Sequence, residues 1–271
     1  MPQTPPNAAP IQTALVTGAS AGIGLELARL LAADGHRLIL VSRDSAKLND
    51  IAGRLRQLGA SSVDVLPTDL SKPDAPARLA DQLAAERLEI DILINNAGFG
   101  VHGRVADANL QRQLDLIQVN ITSLTHLTRL LLPGMLQRRR GRIMNVASVA
   151  AFLPGPFMAC YYASKAYVMS LSLALSHECK GSGVTVTCVC PGPTQTEFFT
   201  RAGISDAPIM SGQMMSAAAV ARIGYHGMLH GRPLVVTGWS NKLLAQSTRL
   251  APRMLAAAVA GQRNRGRQRQ S

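Results

Sequence analysis

Short apolar runs alternate with longer amphipathic segments along most of the chain, and this alternation limits the possible folds more than any other feature. The runs are rich in Val, Ile and Leu and bounded by Gly, Pro, Asp or Ser, as buried strands are, whereas the longer segments have helical periodicity. Strands are predicted at residues 14–17, 38–41, 63–66, 90–94, 142–146, 184–189 and 234–236, and helices at residues 23–33, 45–58, 76–87, 110–137 and 161–180. This repetition predicts an α/β fold with a doubly wound parallel sheet of about seven strands and helices on both faces.

Length and composition indicate one large domain. The chain has 271 residues, of which 47% are apolar and 16% charged, and this excludes a globally disordered protein. We expect residues 1–10, rich in Pro and polar residues, to be a flexible leader and residues 11–240 to form the domain. Residues 193–212 lack clear periodicity, which is typical of a functional loop. A C-terminal helix at residues 241–260 and a basic, flexible tail at residues 261–271 complete the predicted organisation.

The compartment is predicted from what the sequence lacks. The leader has no basic start followed by an apolar stretch, as a secretory signal would, and no apolar run is long enough to cross a bilayer. We therefore expect a cytoplasmic protein. No Cys-x-x-Cys pair is present, so free thiols in a reducing compartment are predicted for Cys160, Cys179, Cys188 and Cys190.

Two histidines, His226 and His230, have the four-residue spacing of paired metal ligands on a helix. No carboxylate or third ligand accompanies them. We therefore predict no metal site.

The formal net charge is +12, and part of it is concentrated in the tail, which has four arginines and no acid. We interpret the tail as a solvated end. Nucleic-acid binding is the alternative, but no aromatic residues interleave the arginines and no nucleic-acid-binding motif is present. The apolar helix before the tail could also lie on a membrane surface, although packing on the domain or in a dimer is favoured.

A glycine-rich turn follows the first predicted strand and precedes a helix. Glycines allow the turn to tighten and the backbone to approach a pyrophosphate, while the helix N-terminus offers free N–H groups to the anion. The spacing differs from the usual Gly-x-Gly-x-x-Gly pattern, but the position after the first strand is that of a dinucleotide site. The predicted cofactor-binding residues of the turn are Gly18, Ser20, Gly22, Ile23 and Gly24.

The end of the second strand discriminates between the two nicotinamide dinucleotides. NAD sites favour an acid there for the ribose 2′-hydroxyl, and NADP sites favour a base for the 2′-phosphate. Here the strand ends in Ser42 and Arg43, and Arg43 can pair with a phosphate. Asp44 follows, and we interpret it as the cap of the next helix. NADP(H) is therefore predicted over NAD(H).

Tyr161 and Lys165 are four residues apart, so both side chains leave one face of a helix. A nearby ammonium stabilises a phenolate, and we expect Lys165 to lower the pKa of Tyr161 so that the pair can exchange a proton with a carbonyl or alcohol oxygen. Tyr162 lies about 100° further around the helix and is expected to pack elsewhere.

Other polar residues are predicted near this pair. Ser148 closely follows the strand at residues 142–146, and the motif at residues 95–98, Asn-Asn-Ala-Gly, ends another strand. In parallel sheets, ligands gather at the carboxyl ends of the strands. Asn120 interrupts an apolar stretch in the middle of a predicted helix.

Together these motifs resemble the compact, single-domain branch of the short-chain dehydrogenase/reductase family, a Rossmann-type fold. The resemblance covers the chain from Thr17 to about Trp239. The family's elements occur in order: Thr-Gly-x-x-x-Gly-x-Gly at residues 17–24, Asp69-Leu70, Asn95-Asn96-Ala97-Gly98, Asn120, Ser148, Tyr161-x-x-x-Lys165 and Pro191-Gly192.

The resemblance implies cofactor contacts along the whole chain. Asp69 and Leu70 are expected to contact the adenine. Tyr161 and Lys165 are expected at the nicotinamide end, where Lys165 bonds the ribose. The backbone of Asn96, Ala97 and Gly98 is expected to line the cofactor cleft, and the residues that orient the nicotinamide amide are expected to be Pro191, Gly192, Thr194 and Thr196.

It also implies catalytic roles. Ser148 would hold and polarise a substrate carbonyl, and Tyr161 would protonate its oxygen while the nicotinamide delivers hydride. Asn120 would order a water that relays protons to Lys165. Ser148 and Tyr161 are thus the predicted substrate contacts, and a homo-oligomer, a dimer or tetramer, is expected.

A substrate lid is implied near residues 193–215. Apolar side chains in and around it favour a bulky, apolar ketone or aldehyde, oxoacyl-like or steroid-like, unless they only pack the lid on the sheet. The side chains of the lid are Phe198, Phe199, Ile204, Ile209 and Met210, with Met214 and Met215 just beyond, and Phe99 and the loop from Phe152 to Met158 are expected to add further apolar walls.

The main alternative function is a non-catalytic NADP-binding sensor or scaffold, which should have lost part of the set Ser148, Tyr161 and Lys165. An epimerase or dehydratase of the extended family branch would need a larger C-terminal substrate domain.

Overall fold

The computed structural model describes residues 11–204, 214–248 and 252–265. Seven parallel strands form one sheet: β1 (Thr13–Thr17), β2 (Arg37–Ser42), β3 (Ser62–Pro67), β4 (Ile92–Asn95), β5 (Gly141–Val146), β6 (Val184–Cys190) and β9 (Leu234–Val236). Their order in the sheet is β3-β2-β1-β4-β5-β6-β9. A separate two-stranded ladder, which the sequence did not predict, pairs β7 (Thr194–Gln195) with β8 (Met215–Ser216).

Helices connect the strands and cover both faces of the sheet. They are α1 (Gly22–Ala33), α2 (Ser45–Leu58), α3 (Ala75–Ala85), α4 (Leu110–Ile117), α5 (Leu124–Gln137), α6 (Ala159–Glu178), α7 (Phe198–Arg201), α8 (Ala217–Leu229), α9 (Trp239–Ser247) and α10 (Arg253–Asn264).

The side chains of β1 show why the sheet needs helices on two sides. Ala14 and Val16 share a core with side chains of α1, α2 and α8, whereas Leu15 shares a second core with side chains of α3 and α5. Successive residues of a strand point to opposite faces, so a central strand of this composition must be covered on both. The predicted Rossmann-type, doubly wound fold is confirmed.

The order of the strands reverses between β1 and β4, since β1 leads to β2 and β3 on one side and β4 leads to β5 and β6 on the other. Loops that leave the carboxyl ends of these two strands diverge and open a crevice, which is where open α/β sheets bind ligands. The fold therefore directs the search for the site to this edge of the sheet.

The helix predicted at residues 110–137 contains a different segment in its middle. A π-helical stretch, Gln118–Ser123, separates α4 from α5, and Asn120 lies within it. Such segments have i→i+5 hydrogen bonds, are rare, and occur frequently at functional sites.

The single C-terminal helix predicted at residues 241–260 is wrong, because the structure has two helices there, α9 and α10. Pro252 stands at the N-cap of α10. A proline cannot donate the backbone hydrogen bond that a continuous helix needs, so a new helix begins after it. Since α10 extends to Asn264, the first four residues of the predicted flexible tail are helical.

Several predictions concern residues outside the described part of the chain. These are the leader, the tail beyond residue 265, and residues 205–213 of the lid, which include Ile209 and Met210. Among the helices that the structure describes, none combines the length and apolarity needed to cross a membrane.

Candidate active site

A cleft of about 980 Å³ opens at the carboxyl ends of the strands, where their order reverses. It brings together most of the residues that the sequence predicted for the site. Those that line it are Gly18, Ser20, Gly22, Ile23, Arg43, Asp69, Leu70, Asn96, Ala97, Gly98, Ser148, Tyr161, Lys165, Pro191, Gly192, Thr194 and Thr196. Two predicted residues, Gly24 and Asn120, do not line the cleft and are buried beside it.

The turn between β1 and α1 can be built only with glycine at its key positions. Gly18 has φ +66° and Gly22 has φ +57°, conformations that residues with a Cβ rarely adopt. A Cβ on Gly18 would lie 2.8 Å from Asn96 Nδ2, and one on Gly22 would lie 3.0 Å from Thr196 Cγ2. Because α1 begins at Gly22, its first N–H groups have no partner within the helix and are free for an anion. The turn therefore fits a pyrophosphate.

Two side chains that the sequence did not single out for this task fasten the turn to the end of β4. Thr17 Oγ1 accepts hydrogen bonds from the backbone N–H groups of Asn96 and Ala97, both at 3.0 Å, and donates to Ile94 O at 3.1 Å. Asn96 Nδ2 donates to Thr17 O at 2.9 Å and to Gly18 O at 3.2 Å. The side-chain amide of Asn96 thus holds the glycine turn in place.

Positive charge lines the end of the cleft beyond β2. Arg43 is exposed there, and the expectation that Asp44 caps α2 is confirmed, since its carboxylate accepts from Lys47 N at 2.9 Å. Lys47 also lines the cleft, and its Nζ lies 3.6 Å from Glu197 Oε1. Lys47 was not among the residues predicted for the site, although it lies in the first turn of α2 and lines the cleft with Arg43.

Asp69 stands on the adjoining wall. Its Oδ1 accepts from Ser71 N at 3.1 Å and from Ser71 Oγ at 2.8 Å. Burial acts to raise the pKa of Asp69, but the hydrogen bonds from Ser71 and the charge of Arg43 outweigh it, so the pKa is lowered. The carboxylate is therefore charged at neutral pH and is available as a hydrogen-bond acceptor.

Tyr161 and Lys165 lie on α6, and both side chains are buried. Lys165 Nζ donates to Val146 O at 2.8 Å and lies 5.8 Å from the centre of the Tyr161 ring. Burial lowers the pKa of Lys165 to about 8. Its ammonium therefore remains the major form at neutral pH, but its proton is less tightly held than on an exposed lysine.

The expectation that Lys165 lowers the pKa of Tyr161 is wrong for the protein alone. Burial raises the pKa of Tyr161 well above its usual value, and a hydrogen bond with Ser148 opposes this rise. Removal of the hydroxyl from water disfavours the phenolate more than the surrounding groups stabilise it. Tyr161 therefore carries its proton at neutral pH, as a residue that donates a proton must.

Ser148 is held at the start of a short 3₁₀ turn, Val149–Phe152. Its Oγ accepts from Ala150 N at 3.1 Å and donates to Pro191 O at 3.4 Å. The residue thus joins the ends of β5 and β6, and it lines the same cleft as Tyr161.

Asn120 lies behind Gly98. Its Nδ2 donates to Phe99 O at 3.1 Å and to Ser164 Oγ at 3.0 Å, and its Oδ1 accepts from Phe99 N at 3.1 Å. A Cβ on Gly98 would lie 3.0 Å from Asn120 Oδ1 and 3.4 Å from Lys165 Nζ. Asn120 Oδ1 and Lys165 Nζ therefore both approach the side of Gly98 where a side chain would stand.

Tyr162 is directed away from Lys165, as predicted. Its hydroxyl donates to Asn264 Oδ1 at 3.1 Å, and its ring contacts that of Tyr161 edge to face, with 6.1 Å between the centres. It nevertheless lines the cleft.

The remaining wall is apolar. The ring of Phe198 lies 5.1 Å from that of Tyr161, centre to centre, and Phe99, Met158 and Phe199 belong to the same cluster.

In the described part of the chain, no three His, Cys, Asp or Glu side chains are grouped as metal ligands would be.

Known proteins are similar to this chain in sequence and in architecture. A sequence profile described as short chain dehydrogenase matches residues 12–205. The chain is 33% identical to a very-long-chain 3-oxoacyl-CoA reductase of Anas platyrhynchos over 243 residues, which cover 87% of this chain and 76% of the relative.

Two solved structures show the same fold. A short-chain dehydrogenase of Sphingobium yanoikuyae, solved with NADPH, superposes with a TM-score of 0.80 at 33% identity, over 89% of this chain and 94% of that one. A short-chain dehydrogenase/reductase of Burkholderia phymatum, solved with NAD, superposes with a TM-score of 0.77 at 26% identity, over 89% and 92% of the two chains. This chain belongs to the short-chain dehydrogenase/reductase family, and it is an oxidoreductase that acts on CH–OH groups.

Proposed function

We propose that this enzyme is an NADP(H)-dependent reductase of bulky, apolar ketones or aldehydes, with Tyr161 as the proton donor. The observation that carries the proposal is the buried Tyr161, which lies beside Lys165 and lines, with Ser148, the same cleft as a pyrophosphate-binding turn. The bound nicotinamide supplies the hydride that forms the new C–H bond.

The side chains of the cleft supply geometry and the proton. The Ser148 hydroxyl donates a hydrogen bond to the carbonyl oxygen and holds it beside Tyr161. Tyr161 transfers its phenolic proton to that oxygen as negative charge develops there, and the Lys165 ammonium stabilises the phenolate that remains. Asn120, next to Gly98, is proposed to order the water through which Lys165 and Tyr161 regain a proton. In the oxidative direction each transfer is reversed.

Removal of the hydroxyl tests the assignment of the acid. Tyr161→Phe should lower the rate of carbonyl reduction by about 10²–10⁴-fold, the contribution of a positioned acid, with nucleotide binding retained. Tyr167→Phe is the matched control, because Tyr167 lies on the same helix outside the cleft, with its hydroxyl 2.9 Å from Thr125 Oγ1. An unchanged rate in Tyr161→Phe would show that another group is the acid.

The preference for NADP(H) is proposed from Arg43 and Lys47, two cations beyond β2 that suit a ribose 2′-phosphate. Arg43→Ala should raise KM for NADPH by about tenfold, the loss expected for one charge-assisted contact, and leave KM for NADH unchanged. Arg54→Ala is the control, since this arginine of α2 is exposed and pairs with Asp50 instead. A wild-type enzyme that uses NADH at least as well as NADPH would contradict the preference.

The apolar substrate is proposed from the wall formed by Phe99, Met158, Phe198 and Phe199. The long acyl chain in the name of the Anas relative supports the same class. Loss of nicotinamide absorbance with a panel of carbonyls should show a larger kcat/KM for long-chain 3-oxoacyl thioesters and bulky ketones than for short polar carbonyls. Activity confined to short polar carbonyls would contradict the proposal.

A cytoplasmic location and a homo-oligomer are part of the proposal. The four cysteines have free thiols in the structure, which suits a reducing compartment. Exposed apolar side chains on α4 and α6, among them Leu110, Leu114 and Leu173, would be covered in an oligomer.

A further inference from the structure

The end of α10 contains a buried asparagine in an otherwise exposed, basic sequence. Asn264 is 1% exposed, whereas Gln262, Arg263 and Arg265 around it are exposed. The polar atoms of most buried amides have hydrogen-bond partners, because a donor or acceptor without a partner is strongly unfavourable away from water. The contacts of Asn264 therefore indicate what it holds in place.

Those contacts join three separate parts of the chain. Asn264 Oδ1 accepts from the hydroxyl of Tyr162 at 3.1 Å, and its Nδ2 donates to Pro156 O at 3.1 Å. His102 Nε2 lies 2.8 Å from the backbone O of Asn264, which accepts that hydrogen bond. The end of α10 is thus bonded to α6, to the loop after β5 and to the loop after β4.

The loop after β5 needs such support. Phe157 has φ +67°, a left-handed conformation that bulky L-residues rarely adopt and that persists only where surrounding contacts fix it. Its carbonyl accepts from Gly103 N at 2.8 Å, and the guanidinium of Arg265 lies 5.5 Å from the centre of its ring. The end of α10 and the loop after β4 therefore hold this residue from two sides.

The same loop borders the substrate end of the cleft. Met158, which follows Phe157, lines the cleft together with Tyr162. Ala260 of α10 packs in the same apolar cluster as Met158, Tyr161 and Tyr162. A shift at the end of α10 would therefore move walls next to the proposed proton donor, whereas Ala19 of the glycine turn packs in a different core cluster.

We propose that Asn264 and Arg265 are positioning residues of the substrate site: they fasten the end of α10 over the strained turn at residues 155–158 and so fix the Tyr162 and Met158 walls beside Tyr161. This inference rests on the proposed function, because it assumes that the substrate carbonyl lies at Tyr161. Neither residue touches the reacting atoms, and both act through the walls that they hold.

Steady-state kinetics of Asn264→Ala tests the inference with whichever apolar carbonyl the wild-type enzyme reduces. The substitution removes both side-chain hydrogen bonds of Asn264. KM for the carbonyl should rise on the order of tenfold, which corresponds to the net stabilisation by about one buried hydrogen bond, while kcat changes less than about threefold. The dissociation constant of NADPH, measured by nicotinamide fluorescence, should stay unchanged. Gln262→Ala, an exposed amide on the same helix, is the matched control and should behave as wild type.

A double-mutant cycle distinguishes positioning from general loss of structure. Tyr162→Phe removes the hydroxyl that donates a hydrogen bond to Asn264 Oδ1. Its effect on KM should therefore be strongly non-additive with the effect of Asn264→Ala. Additive effects, or a KM in Asn264→Ala equal to that of Gln262→Ala, would overturn the inference.

Amide hydrogen exchange gives a readout that does not depend on activity. Asn264→Ala should speed exchange in peptides that contain Gly103 and Met158, whose N–H groups are bonded in the two loops, and leave peptides covering residues 18–24 unchanged. If the wild-type enzyme reduces no carbonyl on the panel but the exchange result is obtained, the proposed function fails while the anchoring by Asn264 stands. Unchanged exchange in both loops overturns the anchoring itself.

Discussion

Replacement of Lys165 by methionine should make the protein more stable at pH 7 while it abolishes carbonyl reduction. Lys165 is 5% exposed, and burial lowers its pKa from 10.5 to about 8. The difference of about 2.5 pH units corresponds to about 3 kcal/mol, by which folding disfavours the charged ammonium relative to the neutral amine. Methionine has a similar length and carries no charge, so it removes this penalty.

The loss of a hydrogen bond offsets part of the gain. Lys165 Nζ donates to Val146 O, and the variant leaves that carbonyl without this donor, at a cost of about 1–2 kcal/mol. The net gain in the free energy of unfolding at pH 7 should therefore be about 1–2 kcal/mol. For a protein of this size that raises Tm by about 2–8 °C.

The pH dependence is the sharper test. Between pH 8 and 10.5 the unfolded wild-type chain keeps the Lys165 proton that the folded protein has lost. Because the unfolded state then binds more protons, the stability of the wild type rises with pH across this window by about 3 kcal/mol in total. This exceeds the advantage of the variant at pH 7, so the wild type should be the more stable protein, by about 1–2 kcal/mol, at the upper end of the window.

Urea unfolding of both proteins from pH 7 to 10.5, in the absence of nucleotide, measures this directly. Lys180→Met, at an exposed position just after α6, is the control and should follow the wild type. A Lys165→Met protein that is less stable than the wild type at pH 7, with the same pH slope, would show that burial of the Lys165 ammonium does not destabilise the fold.

Three further predictions concern the turn, the π segment and the oligomer. Gly18→Ala should abolish NADPH binding and destabilise the protein by more than Gly35→Ala, because both glycines have positive φ but only a Cβ at Gly18 would meet the residues that follow β4. Equal effects of the two substitutions in thermal unfolding and nucleotide titration would contradict this. Asn120→Ala should lose about 2–4 kcal/mol of stability in urea unfolding, because it leaves the N–H and O of Phe99 without their side-chain partner, and a loss below 1 kcal/mol would contradict this. Leu114→Glu should lower the mass measured by light scattering if α4 lies in an oligomer interface, whereas a wild type that is already monomeric at micromolar concentration would refute the oligomer.

The sheet could be predicted from the sequence because its strands are buried on both faces and therefore form short, continuous apolar runs. The limits of that signal are visible at β4, predicted at residues 90–94 but paired from Ile92 to Asn95. Ile90 and Asp91 are buried without lying in the strand, and Asp91 instead accepts a hydrogen bond from Thr13 N. Burial alone does not distinguish a strand from the segment that leads into it.

The composition of the site could be predicted because each of its motifs is local. The electrostatics could not, because the pKa of Tyr161 depends on how completely the folded chain removes it from water. Asn264 was missed for a related reason. Its partners lie 102, 108 and 162 residues away, and in the sequence it is one polar residue in an arginine-rich tail.

The π segment at Gln118–Ser123 has a consequence for the relation between the two helices that it joins. A loop closed by an i→i+5 hydrogen bond contains one residue more than a loop closed by i→i+4, so the segment acts as a one-residue insertion in an otherwise regular helix. Deletion of one residue there would restore the regular pattern but turn α4 by about 100° relative to α5. The extra residue therefore has two effects. It fixes the direction in which Asn120 points, and it fixes which side of α4 faces outward relative to α5.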